Sequence, residues 1–217
     1  MPPRKPRLSP RKQPRQQRAR DTVEVILQAT TYILCKSGYD TMTTNMIAAR
    51  AGVNIASLYQ YFPNKQAIVA ALMRRHVERL RGTIAPVLAR PRSDRLADQV
   101  RTLIELMAAE HAIEPELHRI FTTIAPQLGI APIATEVDGE LAAGYERWLH
   151  DMRGKVPDPK LALWIARTAL HAVFHTAMVE RPEVAGSRLL IDELVRLVTG
   201  FLDPPRRRAT ASPSARA

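Results

Sequence analysis

Residues 43–65, TTNMIAARAGVNIASLYQYFPNK, decide the fold of this chain. The stretch predicts two short helices separated by Gly52, with Thr43 or Thr44 capping the first helix and Asn54 capping the second. The turn needs a glycine because the chain reverses where a Cβ atom would clash. Two short helices joined in this way form a helix-turn-helix.

Apolar side chains, several of them small, occupy the positions through which these two helices would pack: Ile47, Ala48, Ala51, Val53 and Leu58. The second helix then presents four polar or amphipathic side chains: Ser57, Tyr59, Gln60 and Tyr61. Glutamine suits a base edge, and hydroxyl groups suit bases or phosphates. Thr44 at a helix start forms an anion site with free N–H groups, and Lys65 begins the next helix, where it is placed to pair with a phosphate. The segment therefore predicts a DNA-binding surface. Because helical hairpins with glycine turns also occur in enzymes, the alternative is a helical small-molecule-binding protein or enzyme without sequence-specific DNA binding.

The rest of the chain is predicted to be helical between two polar tails. Apolar spacing of three and four residues indicates a first helix over 22–37 that stops at Gly38. A long helix begins near Lys65 and is expected to stop around Gly82 or Pro86. Further helices are predicted near 94–113, 115–128, 133–153, 159–181 and 187–202. No stretch alternates with period two, so we predict an all-α protein in which a three-helix helix-turn-helix domain precedes a helical bundle.

Charge is distributed unevenly along the chain, whose net charge is +11. Residues 1–20 carry eight basic and no acidic side chains, and residues 21–90 carry eight basic and four acidic ones. Residues 91–202 carry twelve basic and sixteen acidic side chains. A basic arm before a basic first third is typical of a polyanion binder, whereas a solvated tail that aids solubility is the alternative for the arm alone. The predicted organisation is a disordered basic arm (1–20), a helix-turn-helix domain (21–65), a second helical domain (66–202) and a disordered tail (203–217).

Composition also excludes several classes of protein. The chain has one cysteine, Cys35, so it forms no intrachain disulfide and fits a reducing compartment. No apolar run is long enough to span a bilayer, and no apolar region follows the basic N-terminus as in a secretory signal. The sequence contains no recognisable Ser/His/Asp set, no glycine loop of the kind that cradles a phosphate and no paired carboxylates with a plausible base. Nothing in it therefore indicates an enzyme. We expect a cytoplasmic protein with no membrane partner, no cofactor and no catalytic activity.

Residues 22 to about 75 resemble the DNA-binding domain of the TetR family of bacterial regulators. The matching residues run through three predicted helices and the start of a fourth: Ile26-Leu27, Ala29, Gly38-Tyr39, Thr43-Thr44, Ile47-Ala48, Ala51-Gly52-Val53, Leu58-Tyr59, Tyr61-Phe62 and Lys65. The resemblance implies a homodimer that binds a palindromic operator on double-stranded DNA, most often as a repressor, and is released by a small-molecule effector.

The DNA contacts that the resemblance implies fall at Thr44, Asn45, Ile55, Ala56, Ser57, Tyr59, Gln60, Tyr61 and Lys65. Two differences from the family pattern lie at the start of the third helix. Asn54 replaces the usual serine and remains a good cap, whereas Ile55-Ala56 replaces a Lys-Gly pair and removes one expected DNA contact.

Two further sets of residues are candidates in the second domain. An effector pocket between bundle helices is expected to use some of Met107, His111, Phe121, Trp148, Met152, Phe174 and Met178, most of which are also suited to a plain core. A dimer interface on the last two helices is expected to include Trp164, Thr168, His171, His175, Leu190, Leu194 and Leu197.

Histidines are weighed separately because they bind metals. His171 and His175 lie four residues apart on one predicted helix, a spacing that suits zinc. The sequence places no third ligand at a telling distance, so no metal site is predicted. His111 and His118 are expected to face solvent rather than line a pocket.

Overall fold

The computed structural model describes residues 17–89, 95–130, 141–151 and 156–203, and these residues form nine α-helices. The helices are α1 (Gln17–Thr41), α2 (Thr44–Ala51), α3 (Ile55–Tyr61), α4 (Lys65–Ala89), α5 (Leu96–Ile113), α6 (Pro115–Leu128), α7 (Ala142–Asp151), α8 (Pro159–Glu180) and α9 (Arg188–Leu202). The predicted all-α architecture is confirmed, and most predicted helix ends agree within two or three residues. Residues 1–16 of the predicted arm and 204–217 of the predicted tail lie outside the described residues.

Helix α1 begins within the segment that was predicted to be disordered. Its first turns are held by a hydrogen bond from Gln17 Nε2 to Asp21 Oδ1 (2.8 Å) and by one from the Thr22 hydroxyl to the Arg18 carbonyl (2.9 Å). The predicted stop at Gly38 appears as a break in the helix, where φ is 76° and ψ is 173°. The helical backbone nevertheless resumes after this glycine and extends to Thr41.

The two helices of the helix-turn-helix begin and end as the residue types require. Thr43 caps α2 by accepting a hydrogen bond from the Met46 amide (3.2 Å), and Asn54 caps α3 by accepting one from the Ala56 amide (2.8 Å). Gly52 ends α2 in the left-handed conformation, with φ at 66° and ψ at 28°. A side chain is strained there, which is why glycine was needed in the turn.

Helix α4 corrects one sequence prediction, because it continues past Gly82 and Pro86 to Ala89. Leu88 in its last turn is 2% exposed, and Ile84 and Ala85 pack against the same core. A proline inside a helix removes one backbone hydrogen bond and crowds the preceding turn. Burial of this apolar end compensates for that loss.

The side chains pack into two cores. The first core joins α1, α2, α3 and the start of α4 through residues such as Ile26, Leu34, Ile47, Leu58 and Phe62. The second core joins the end of α4 to α5, α8 and α9 through residues such as Leu88, Ile104, Phe174, Leu194 and Val198.

Helix α6 does not follow the predicted domain boundary at 65/66. Leu117, Phe121 and Ala125 of α6 belong to the first core, although they come from the segment predicted to form the second domain. Helix α4 contributes to both cores. The two halves are therefore coupled through α4 and α6 rather than joined by a linker.

None of the helices in the described part of the chain is long and apolar enough to cross a membrane.

Candidate nucleic-acid interface and histidine cluster

Helix α3 presents a solvent-facing surface of the kind predicted for DNA contact. Leu58 is fully buried against the first core, which sets the rotation of the helix. Ala56, Tyr59 and Gln60 are exposed as a result, and Asn45 on α2 is exposed beside them. The remaining predicted contacts on these helices are half-buried: Thr44, Ile55, Ser57 and Tyr61.

The two helices of the motif are linked by one polar contact. The Thr44 hydroxyl at the start of α2 lies 2.9 Å from the Tyr59 hydroxyl on α3, and either oxygen can be the donor. The contact places two hydroxyl groups at one point of the surface, at the N-terminus of α2. Such a site suits a phosphate oxygen.

Lys65 has a different environment from the one predicted. Its ammonium group donates to the carbonyl oxygens of Tyr39 (2.9 Å), Met42 (3.1 Å) and Asp40 (3.4 Å). The same group lies 4.3 Å from the centre of the Tyr39 ring. A lysine ammonium has three donors, so all three are engaged by the last residues of α1 and by Met42, which follows that helix. A phosphate contact would require Lys65 to release one of these carbonyls.

Sequence reasoning missed two contacts that hold the first domain together. The Arg50 guanidinium on α2 lies 3.3 Å from the centre of the Tyr32 ring on α1, a cation–π contact. Arg75 on α4 forms a salt bridge with Glu24 on α1 (2.9 Å). Neither pair is close in sequence, so no local pattern indicates it.

A cluster of histidines occupies the junction between the two cores. His76 on α4, His111 on α5 and His118 on α6 are 7%, 2% and 4% exposed. His118 Nδ1 lies 3.2 Å from His76 Nε2, and its Nε2 lies 3.3 Å from His175 Nε2 on α8. His171 on α8 completes the cluster, with its ring centre 3.7 Å from that of His175. We call these five residues the histidine cluster.

Burial favours the neutral imidazole at four members of the cluster, His76, His111, His118 and His175, because it lowers the pKa of each. It lowers the pKa of His76 to about 4, with the charge of Arg79 as a smaller cause. The pKa of His111 also falls to about 4, chiefly through burial. Burial likewise lowers the pKa of His175 to about 2, and the pKa of His118 is strongly lowered by burial and by its histidine neighbours. A neutral imidazole retains one nitrogen lone pair.

The cluster corrects one sequence prediction. His111 and His118 do not face solvent; both are buried where α4, α5 and α6 meet. The three histidines whose ring nitrogens lie close enough together to share an ion are His76, His111 and His118, not the His171–His175 pair. His76 was not singled out at all, because its partners lie 35 or more residues away along the chain. Six histidines in a chain with one cysteine was the only signal in the sequence.

The predicted effector-pocket residues lie in different places. Phe121 belongs to the first core, whereas Met107, Phe174 and Met178 belong to the second. The two phenylalanines flank the histidine cluster, with the Phe121 ring 6.0 Å from His76 and the Phe174 ring 5.2 Å from His111. Met152 lies outside the described residues, and Trp148 is placed only as a member of α7.

The last two helices expose an apolar face, which corrects part of the predicted interface. On α8 the exposed apolar side chains include Leu161, Trp164 and Ile165, and on α9 they include Leu189, Leu197 and Phe201. Thr168 is also exposed, and Leu190 is half-buried. Leu194 does not belong to this face, because it is 2% exposed within the second core. His171 is exposed on α8 like Trp164 and Thr168 and also contacts His175, whereas His175 is half-buried within the histidine cluster.

The fold and the exposed third helix define a class of protein: helix-turn-helix regulators in which a DNA-binding domain precedes a helical bundle. Two family descriptions match the chain, "Bacterial regulatory proteins, tetR family" over residues 26–72 and "Tetracyclin repressor-like, C-terminal domain" over residues 95–202. The chain belongs to the TetR family. Regulators of this family bind DNA, usually act as dimers with small-molecule effectors, and are generally not enzymes.

Individual relatives agree with this assignment. The chain is 42% identical over 57 residues to the uncharacterized HTH-type transcriptional regulator YvkB of Bacillus subtilis. This matched segment covers 26% of this chain and 30% of that protein. It is 38% identical over 55 residues to the HTH-type transcriptional repressor KstR of Mycolicibacterium smegmatis, covering 25% and 27%. The matched segment thus spans less than a third of each curated relative.

The fold as a whole is similar to that of solved structures. The fatty acid degradation regulator FadR of Bacillus halodurans superposes with a TM-score of 0.62 at 19% identity, covering 86% of this chain and 97% of that chain.

Proposed function

We propose that this protein is a ligand-responsive transcriptional repressor that binds a palindromic operator as a homodimer and is released by a small-molecule effector. The observation that carries the proposal is the exposed surface of α3, where Tyr59 and Gln60 project from a helix whose rotation is set by the buried Leu58. Glutamine reads adenine through its amide, and the tyrosine hydroxyl suits a phosphate.

Dimer formation is supported by the exposed apolar face of α8 and α9. Trp164 is 57% exposed and Leu189 is 68% exposed. Large apolar side chains grouped on two neighbouring helices suit a four-helix contact with a second copy. A two-fold axis through such a contact would present two copies of α3 to successive major grooves, about 34 Å apart.

The test is selection of binding sites from random DNA duplexes by the purified full-length chain at near-physiological salt. A palindrome with half-sites about one helical turn apart is the expected result. The double variant Tyr59→Ala/Gln60→Ala should lose this enrichment while keeping its helical content.

A matched control removes an exposed pair far from α3. Glu116 and Arg119 form a surface salt bridge on α6, so Glu116→Ala/Arg119→Ala leaves the net charge unchanged and should select the same palindrome. Enrichment that survives in the Tyr59/Gln60 variant would contradict the proposal, because α3 would then not be the reading helix.

A further inference from the structure

We propose that His76, His111 and His118 bind one divalent first-row transition cation, and that this ion acts as an effector of DNA binding. The regulatory part rests on the function proposed above, whereas the binding site stands by itself. Three imidazoles without thiolate or carboxylate ligands suit zinc, nickel, cobalt or copper better than magnesium or calcium.

The spacing of the nitrogens fits one ion. One ring nitrogen from each of the three histidines lies within 4.8 Å of the other two. His118 Nδ1 and His76 Nε2 are 3.2 Å apart. Two nitrogens on a tetrahedral zinc ion lie about 3.3 Å apart, given zinc–nitrogen bonds of about 2.0–2.1 Å. Binding therefore needs only a small movement of the His111 ring and a change of tautomer at His76.

His111 supplies the independent sign of a missing partner. Its Nδ1 bonds to the Met107 carbonyl oxygen, an acceptor, so Nδ1 carries the proton. Its Nε2 therefore holds a lone pair, and this buried atom has no hydrogen-bond partner among the residues that the structure describes. Buried polar atoms are rarely left unpaired. A histidine whose N–H donates to a backbone carbonyl is also the usual arrangement of a zinc ligand.

The hydrogen bonds around His118 are also consistent with a lone pair at its Nδ1 that is directed at the ion. With the Nδ1 lone pair of His118 directed at the ion, its Nε2–H donates to His175 Nε2 at 3.3 Å. His175 Nδ1–H then donates to the Thr122 hydroxyl at 3.4 Å, and that hydroxyl donates to the His118 carbonyl at 3.1 Å. One set of tautomers satisfies every hydrogen bond in this series. His175 therefore orients the His118 ring and acts as a positioning residue.

Negative charge near the cluster would offset that of a cation. Glu110 precedes His111 on α5, and its Oε1 accepts a hydrogen bond from the Thr83 hydroxyl at 2.9 Å. Its Oε2 is buried and has no hydrogen-bond partner in the described part of the chain. Arg79 lies about one turn after His76 on α4, and its guanidinium forms a salt bridge with the Glu114 carboxylate (3.0 Å). These three side chains, two carboxylates and one guanidinium, therefore carry a net negative charge.

The position of the site connects it to DNA binding. His76 lies in the middle of α4, whose first turns pack in the first core and whose last turns pack in the second. An ion held by His76, His111 and His118 would fix α4 against α5 and α6. Helix α4 directly follows α3 along the chain, so its placement sets the position of the reading helix relative to the bundle.

The test uses the full-length, metal-free protein without added histidine tags, titrated with Co²⁺ and Zn²⁺. We expect one ion per chain, visible-range Co²⁺ absorption of a four-coordinate site, and a higher melting temperature with Zn²⁺. His76→Gln and His111→Gln should each weaken Zn²⁺ binding by more than about a hundredfold, and His175→Gln by about tenfold. His150→Asn removes the one histidine outside the cluster and should change nothing.

Helical content of the metal-free variants checks folding. Zinc X-ray absorption of the wild-type protein needs no variant, and it should show three imidazole nitrogens at about 2.0 Å. Absence of stoichiometric binding, or binding that survives both His76→Gln and His111→Gln, would overturn the site.

Operator binding is then measured with Zn²⁺ and with a chelator. We expect operator affinity to change by about fivefold or more, and this change should disappear in His111→Gln. Unchanged affinity in the presence of bound Zn²⁺ would overturn the effector role and leave the site. Failure of the protein to bind any DNA would overturn the proposed function instead, because Co²⁺ and Zn²⁺ binding are measured without DNA.

Discussion

The Thr44 hydroxyl on α2 and the Tyr59 hydroxyl on α3 lie 2.9 Å apart, and this contact joins the two helices of the helix-turn-helix at its solvent-facing surface. Both residues were predicted separately as DNA contacts. Their contact means that removing one hydroxyl also changes the position of the other.

The first prediction concerns this pair. Tyr59→Phe and Thr44→Val should each lower operator affinity by about tenfold, because a hydrogen bond to a charged phosphate is worth about 1.5–3 kcal/mol. The double variant should lose little more than either single variant, since the two hydroxyls act together. Fluorescence anisotropy with the selected operator measures all four proteins. Fully additive losses would mean that the hydroxyls contact DNA independently.

The second prediction concerns Lys65. Lys65→Met should lower the free energy of unfolding by about 2 kcal/mol, because three carbonyl oxygens at the end of α1 and just after it lose a charged donor. Urea unfolding measures the change, and Lys36→Met, an exposed lysine on α1, is the control. If stability is unchanged but the salt dependence of operator binding falls by about one charge, Lys65 contacts a phosphate instead.

The third prediction concerns the turn glycine. Gly52→Ala should destabilise the protein by about 1 kcal/mol through backbone strain alone, because φ is 66° and no atom of the described residues lies within 4 Å of the added Cβ. Gly82→Ala in α4 likewise meets no atom of these residues within 4 Å, and its φ is not positive. The control should therefore stabilise the protein by up to about 1 kcal/mol. Equal effects of the two substitutions in thermal unfolding would contradict the strain argument.

The fourth prediction concerns the apolar face of α8 and α9. Trp164→Glu combined with Leu197→Glu should yield monomers in sedimentation experiments, because two charges per copy would be buried at the contact. Operator affinity should fall by about a hundredfold or more, since the second half-site would no longer be linked to the first. Ile113→Glu is the control, because Ile113 is 60% exposed on α5. A dimer that persists in the double variant would place the interface elsewhere.

The fifth prediction concerns residues 1–16 of the basic arm, which lie outside the described residues. Deletion of residues 2–16 removes six basic side chains and should reduce the slope of log affinity against log salt by up to about 5. The preferred DNA sequence should stay the same. A scrambled arm of equal charge should restore the slope, and a scrambled arm that alters the preferred sequence would mean that the native arm reads bases.

The sequence by itself determined the features that depend on neighbouring residues. Thr43, Gly52 and Asn54 each act within their own turn, so the ends of α2 and α3 were predicted correctly from residue type. The apolar residues Ile47 and Ala48 on α2 and Leu58 on α3 indicated which sides of the two helices pack together. This determined that Leu58 is buried and that Gln60 is exposed. Pro86 was expected to end α4, and this local signal failed. Burial of Leu88 in the second core, formed with residues far along the chain, outweighs the hydrogen bond that proline removes from its own helix.

Only the tertiary structure decided the features that combine separate helices. His76, His111 and His118 share no period, and they meet because α4, α5 and α6 cross at the junction of the two cores. Leu194 and Leu197 are both apolar on α9, and only packing against α5 and α8 decides that Leu194 is buried and Leu197 is not. The physical reason is the same in both cases: caps and periodicity act over one or two turns, whereas contacts between helices depend on how whole helices pack.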